Sequence, residues 1–360
     1  MLTLLFYTLF TAVPDTLPPD GPYLVYTAAD SLQAFWADTE ARTTGTLPFD
    51  SAHFADLPRF PAFDPGLVDP ARDFSPRPWR DYEGVSRVVA ISDVHGQYDV
   101  TRRLLTANAV TDTAGHWVFG DGHLVIVGDV FDRGDQVTEC LWFLHNLEGE
   151  AERAGGRVHF LLGNHETMVL AGDERYLNPR YRTTASLLQE FYGDLYGPDT
   201  YLGRWLRSLP LAVKINGVVY VHGGLSRDMV REVGSLERMN DLYHAYLIDA
   251  NDLSETVRES NRLRLLYGRS GPLWYRGYFS ANNFSADDLK YILRRVDAER
   301  IVVGHTSFTA VRGFFDNRII AVDSSIKFGN VGEVLIVEGG DCYRGTITGK
   351  RIPLAGPAGR

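Results

Sequence analysis

Cysteine is scarce in this 360-residue chain, with two residues, Cys140 and Cys342. Two cysteines do not make a disulfide framework. Neither is placed as the nucleophile of a cysteine-dependent phosphate-binding loop, which needs an arginine six positions later. Those positions hold Asn146 and Thr348. Cys140 lies in the apolar helical stretch Glu139-Cys140-Leu141-Trp142-Phe143-Leu144, where a buried structural thiol is expected. Long apolar runs are missing too. With 44% hydrophobic residues and no uninterrupted run of bilayer-spanning length, the chain reads as soluble and globular, with no stable membrane span. An excess of basic residues is also absent. The net charge of -10 excludes a broad nucleic-acid footprint and leaves room only for a local basic pocket that takes one phosphate. Gly345 to Lys350 imitates a nucleotide-binding phosphate loop but is one residue short, and Arg351 replaces the required Ser or Thr.

Proline is sparse beyond residue 80, because eleven of the 17 prolines come earlier. Prolines at that density oppose long helices and sheet interiors. Residues 13–86 therefore read as a Pro-rich N-terminal arm, extended over the rest of the molecule, with one short element around Ser31 to Ala37. Phe49, Phe54, Phe60, Phe63, Phe74 and Trp79 give the arm something to pack with. Residues 1–12 are apolar and uncharged, which suits the core of a secretory signal cleaved near Ala12 and a periplasmic or extracellular protein. The usual preceding basic residue is missing. The alternative is a hydrophobic strand retained on a cytoplasmic protein.

From Arg87 onward, short apolar runs keep ending in the same way. Val88-Val89-Ala90-Ile91 runs into Ser92-Asp93-Val94-His95-Gly96. Leu124-Val125-Ile126-Val127 runs into Gly128-Asp129-Val130-Phe131-Asp132-Arg133-Gly134. His159-Phe160-Leu161-Leu162 leads to Gly163-Asn164-His165-Glu166, Val218 to Val221 leads to His222-Gly223-Gly224, and Ile301-Val302-Val303 leads to Gly304-His305. Runs of this length and β-branching suit buried strands. In open α/β sheets ligands gather outside the carboxyl ends of the strands. Glycine there lets the backbone bend and approach a ligand closely. A single ending of this kind is an ordinary Asp-rich turn, but five in one chain are not.

The fold class that follows is α/β. Helical patterns over Val100 to Asn108 and Val137 to Arg153 follow the first two motif strands, as in βαβ units. Asn216-Gly217 predicts a tight hairpin between Ala212 to Ile215 and Val218 to Val221. A second hairpin is expected between Trp117-Val118-Phe119 and Leu124 to Val127, around Gly120-Asp121-Gly122. Residues 226–266 are polar and mostly helical, and Ser285 to Val296 forms a further helix. Strands at Thr309 to Phe315, Ile319 to Asp323 and Val334 to Val337 close a domain of residues 87–345, leaving 346–360 as a tail.

The strand ends collect Asp93, His95, Asp129, Asn164, His222 and His305. A mixed oxygen and imidazole set suits Mn, Fe or Zn rather than Ca or a thiolate site. Six ligands exceed one tetrahedral ion. A shared carboxylate, Asp129 being the central candidate, can serve two ions of the kind that clamp a displacement at phosphorus. Taken singly, each histidine is more simply a satisfied core or rim residue; the set is not.

These five motifs, in this order, resemble the calcineurin-like metallophosphoesterase superfamily, and more narrowly its phosphoprotein-phosphatase branch, over about residues 87 to 340. The resemblance implies two packed mixed β-sheets flanked by helices, a four-layer sandwich with a dimetal site where loops of both sheets meet. It implies that Asp93, His95 and Asp129 hold one ion and that Asp129, Asn164, His222 and His305 hold the other. It further implies that His165 protonates the leaving oxygen, that Asp132 orients His165, and that Arg133 grips the phosphoryl oxygens. An acid so placed contributes about 10²–10⁴-fold. A second phosphate-binding cation is expected from the stretch between His222 and His305. Arg276, anchored by Leu273-Trp274-Tyr275 and Tyr278-Phe279, is chosen over Arg269.

The sequence departs from the eukaryotic serine/threonine enzymes. Leu162 replaces their Arg before Gly-Asn-His-Glu, Ser92 replaces a Gly, and Val322-Asp323-Ser324-Ser325 stands at the C-terminal loop. Gly271-Pro272-Leu273-Trp274-Tyr275-Arg276 resembles bacterial members, the Shewanella-like phosphatase group and dinucleoside tetraphosphatases. The expected activity is hydrolysis of phosphoprotein Ser, Thr or Tyr esters, or of a small phosphate ester, with dinucleoside polyphosphates as the alternative. A non-enzymatic metal-binding scaffold is disfavoured, because it has no need of His165, Asp132 and Arg133 together. The signal is tested by sequencing the N-terminus of protein taken from its native cells. A start shortly beyond Ala12 is expected, and an intact Met1 refutes export.

Overall fold

The structure, a computed structural model, describes residues 18–248, 260–280 and 284–354. The candidate signal at residues 1–12 lies outside them.

In chain order the strands are β1 (Asp20–Ala28), β2 (Ser31–Asp38), β3 (Thr43–Phe49), β4 (Asp81–Tyr82), β5 (Arg87–Ile91), β6 (His123–Ile126), β7 (Arg157–Phe160), β8 (Ala212–Ile215), β9 (Val218–Val221), β10 (Arg300–Val303), β11 (Arg312–Phe314), β12 (Ile319–Ala321), β13 (Glu333–Glu338), β14 (Asp341–Thr346) and β15 (Arg351–Pro353). The helices are α1 (Tyr98–Ala107), α2 (Val137–Arg153), α3 (Asn164–Leu170), α4 (Pro179–Leu188), α5 (Tyr201–Arg207), α6 (Arg227–Val233), α7 (Leu236–Tyr243), α8 (Asn261–Tyr267) and α9 (Ala286–Arg295).

Two six-stranded mixed sheets, ordered β15-β14-β13-β5-β6-β7 and β11-β12-β10-β9-β8-β4, pack face to face. Alternation along β5 and β6 explains why their sequences read as unbroken apolar runs. Val88, Ala90 and Val125 join Val213, Val218, Tyr220 and Val302 between the sheets. Val89, Ile91, Leu124 and Ile126 point the other way, into the layer with Trp142 and the other helical residues. Strands covered on both faces show no polar alternation. The parallel trio β5, β6 and β7 sends all its carboxyl ends to one rim. On the other sheet β9 and β10 are likewise parallel. The Asn216-Gly217 hairpin is present, both residues having positive φ (48° and 70°), as its tight turn requires.

Three expectations need correction. The N-terminal arm is not an extended strap with one short element. Residues 20–49 form a three-stranded antiparallel sheet ordered β1-β2-β3. Its edge strands carry Pro22 and Pro48, while the central β2 has no proline, which is where a sheet tolerates the missing N–H. From Phe49 to Asp81 the chain does run with little regular structure. Its aromatic residues dock as expected, Phe63 on Trp142 at 4.7 Å and Phe74 on Tyr201 at 5.0 Å between ring centroids. Second, Trp117 to Phe119 does not pair with β6, because β5 and β7 already occupy both edges of that strand. Trp117 bridges Thr111 instead. Third, the last described residues are not a loose tail. β14 and β15 extend the first sheet, and Leu354 is buried.

The N-terminal sheet is riveted to the catalytic layers by Asp20, which is only 1% exposed. Its carboxylate accepts from Tyr23 Oη at 2.8 Å and from Thr138 Oγ1 and Thr184 Oγ1, both at 2.7 Å. Thr138 is in α2 and Thr184 in α4. Removing the acceptor strands three buried hydroxyls, so Asp20→Ala is expected to cost about 2–4 kcal/mol. Urea unfolding followed by tryptophan fluorescence checks this. A midpoint unchanged from wild type contradicts it.

Candidate metal and phosphate site

The site stands at the rim where both sheets end. Asp93 and His95 follow β5, Asp129, Asp132 and Arg133 follow β6, Asn164 and His165 open α3 after β7, His222 follows β9 and His305 follows β10. Six of these, Asp93, His95, Asp129, Asp132, Arg133 and His305, have φ between 45° and 69°. Non-glycine residues in the left-handed region cost of order 1 kcal/mol or more each and gather at functional sites. The glycines between them are needed for close approach. A Cβ on Gly163 would collide with Asp129 Oδ1, and one on Gly304 with Ser92 Oγ.

Backbone carbonyls set the tautomers. His95 Nδ1 donates to Phe131 O and His222 Nδ1 to Val127 O, each at 2.7 Å. Each ring therefore turns its Nε2 into the site. His222 Nε2 meets Asn164 Oδ1 at 3.0 Å, His305 Nδ1 at 3.2 Å and Asp129 Oδ1 at 3.3 Å. His95 Nε2 lies 3.7 Å from Asp129 Oδ2 and 3.9 Å from Asp93 Oδ1. Asp93 Oδ2 accepts from Ser92 Oγ at 2.5 Å and from His305 N at 2.9 Å, which leaves Oδ1 turned inward.

These atoms fit a pair of cations. One proton on His222 Nε2 cannot satisfy three surrounding acceptors. His305 Nε2 is buried with no hydrogen-bond partner among the described residues. The protonation preferences show the same shortage of positive charge. Burial works against charging His222, yet Asp129 beside it lifts its pKa to about 10. Burial, aided by His222, pushes His305 down to about 2. Burial likewise takes His95 to about 3. Asp93 is raised by burial and by the carboxylates of Asp323 and Asp129. Burial pulls Asp129 the same way, but His222 and His165 hold it well below the usual range. Two donor clusters share Asp129: His95 with Asp129 and His165, and Asp129 with His222 and His305. Asn164 joins the second through His222. Asp93 stands at the edge of the first, and His165 stands within it.

His165 differs from the other histidines in its partner. Its Nδ1 contacts Asp132 Oδ2 at 2.5 Å, and its Nε2 looks across 3.9 Å to Asp129 Oδ2. Burial opposes its protonation, but Asp129 and the hydrogen bond to Asp132 raise its pKa. Arg133 is exposed beside the cluster, its guanidinium 5.3 Å from the Tyr176 ring. Arg276 brings Nη2 to 3.4 Å from His305 O and 3.5 Å from His305 Nδ1. Arg269 lies exposed in the turn after α8. The structure therefore brings Arg276 against the candidate ligands.

Reading the sequence missed three participants. Glu166, visible in the Gly-Asn-His-Glu motif, received no role there. Its carboxylate accepts four backbone N–H groups, from Asp129 (2.9 Å), Val130 (2.7 Å), Phe131 (3.2 Å) and Gly163 (2.7 Å). Ser92 had been noted only as a departure from glycine, but its hydroxyl fixes Asp93. Tyr176 lies in a turn with no motif to mark it.

A strand-end site of this donor set between two mixed sheets defines a metallophosphoesterase. The chain belongs to that family: residues 86–307 match the calcineurin-like phosphoesterase model. It is thus a metal-dependent phosphatase, and the family implies two divalent ions. Shewanella-like protein phosphatase 2 of Arabidopsis thaliana is 27% identical over 296 residues, spanning 69% of this chain and 73% of that protein. Shewanella-like protein phosphatase 1 of Plasmodium berghei is 27% identical over 261 residues, 69% of each. The crystal structure of a cold-active protein-tyrosine phosphatase from a psychrophilic Shewanella species superposes with a TM-score of 0.84. It has 41% identity and covers 94% of this chain and 100% of that one. Among the described residues no helix is long and apolar enough to cross a membrane.

Because both clusters meet at one carboxylate, Asp129→Ala is expected to lose both ions and Asp93→Ala at most one. Elemental analysis of reconstituted, desalted protein decides this. Two ions retained in Asp129→Ala contradict the shared-ligand geometry.

Proposed function

We propose that this protein is a dimetal phosphomonoesterase that dephosphorylates phosphoproteins, phosphotyrosine among their residues. The observation that carries the reading is the His165–Asp132 pair set against Asp129. It is a proton donor with a fixed tautomer, beside donors that would hold the cations. The names of the relatives and of the Shewanella structure support the substrate class. The nitrogen and oxygen donor set favours Mn, Fe or Zn.

Asp93, His95 and Asp129 would hold one ion, and Asp129, Asn164, His222 and His305 the other. Bound there, such ions lower the pKa of water from 15.7 to roughly 7 and supply hydroxide at neutral pH. Arg133 and Arg276 take phosphoryl oxygens, for which a guanidinium fork is suited. His165 Nε2 faces the site and gives its proton to the ester oxygen as the bond from that oxygen to phosphorus breaks. Asp132, through Nδ1, holds the ring in place and stabilises its protonated form. Water contributes the oxygen that joins phosphorus, and the products are inorganic phosphate and the free hydroxyl.

Two measurements test this. His165→Ala is expected to keep both ions while losing about 10²–10⁴-fold in kcat, most for esters of poor leaving groups. An emptied metal site in that variant moves His165 from acid to ligand, as its place in the first cluster would then demand. Turnover of phosphopeptides is also compared with that of a dinucleoside tetraphosphate. Faster cleavage of the dinucleotide overturns the phosphoprotein assignment.

A further inference from the structure

Tyr176 is 45% exposed, whereas His165 beside it is 4% exposed. Their ring centroids lie 5.2 Å apart with the planes tilted by 50°. The tyrosine is thus an exposed ring directly beside the buried proton donor. Its turn is tied to the loop that carries Arg133. Arg133 N donates to Tyr176 O at 3.1 Å, and Asn178 Nδ2 donates back to Arg133 O at 2.8 Å. Leu177 is buried, and Arg175 is clamped on Asp173. The Arg133 and Arg175 guanidiniums lie 5.3 and 5.8 Å from the ring centre, and the part of the ring left exposed is what a flat ligand can reach.

The direction of the leaving group follows from His165. Nδ1 is taken by Asp132, so the proton leaves from Nε2, and the departing oxygen must sit against that atom. Whatever is bonded to the oxygen then lies beside His165, within reach of the Tyr176 ring 5.2 Å from the imidazole. A phenyl group attached directly to the ester oxygen is flat and long enough to lie on the tyrosine face. The single methylene of phosphoserine is not.

We propose that Tyr176 is a specificity-determining residue, stacking on the ring of an aryl phosphate leaving group and thereby favouring phosphotyrosine over phosphoserine. This rests on the phosphoprotein reading. One peptide sequence carrying either phosphotyrosine or phosphoserine at the same position is assayed with wild type, Tyr176→Leu and Tyr176→Phe. The ratio of kcat/KM between the two peptides cancels their intrinsic reactivity when it is compared across variants. Tyr176→Leu is expected to lower that ratio about tenfold, the scale of one lost aromatic pair. Tyr176→Phe is expected to stay within about twofold of wild type. Inhibition by inorganic phosphate is measured alongside.

An unchanged ratio in Tyr176→Leu overturns the proposal. So does an equal loss on both peptides with weakened phosphate inhibition, because Tyr176 would then act only by seating Arg133. A wild-type enzyme that hydrolyses para-nitrophenyl phosphate but neither peptide overturns the phosphoprotein reading instead. The same ratio, taken between para-nitrophenyl phosphate and an alkyl phosphate, then still decides the role of Tyr176.

Discussion

Four backbone N–H groups converge on the Glu166 carboxylate, and the site depends on that convergence. Two strand ends, those of β6 and β7, are tied to the first turn of α3 by one side chain. The donors come from Asp129, Val130, Phe131 and Gly163, so the loop that carries Asp129 is fixed by its backbone. Phe131 and Val127 in turn hold His95 and His222 by their carbonyls. The imidazoles are aimed by main chain, which no side-chain substitution removes.

Holding six residues in left-handed conformations is costly, and the surrounding core offsets it. The strands beneath are sealed on both faces, and β5, β6, β9 and β10 are also paired on both edges, so the rim they carry cannot relax by shifting register. A metal centre gains from such rigidity, because donors already in place lose little freedom when the ion binds. Electrostatics works in the opposite sense. Buried together, the carboxylates of Asp93, Asp129 and Asp323 repel one another, and a cation held among them would offset that repulsion.

How much of this could be read from residues alone varied with location. β5, β6, β9 and β10 were legible because burial on two faces leaves a plain apolar run, and the candidate ligands stood out because they follow such runs, mostly beside a glycine. The N-terminal sheet was not. Prolines and aromatics suggested a strap, and only β2, the strand free of proline, left a trace. Trp117 to Phe119 looked like a strand because local pattern says nothing of whether the neighbouring edge is already taken. Glu166 was in plain view, but a carboxylate that binds only backbone leaves no spacing rule behind. Tyr176 carries no signal at all, since its importance comes from where a turn lands.

Asp20 has a consequence for the order in which the molecule can be made. Its partners Thr138 and Thr184 lie 118 and 164 residues downstream. During synthesis β1 leaves the ribosome long before either threonine exists. Docking of the N-terminal sheet through this anchor must wait until β5, β6 and β7, half of the first catalytic sheet, have been translated. Only then can the carboxylate trade water for three hydroxyls. Docking of β1 is thus tied to the arrival of α2 and α4, midway through the chain.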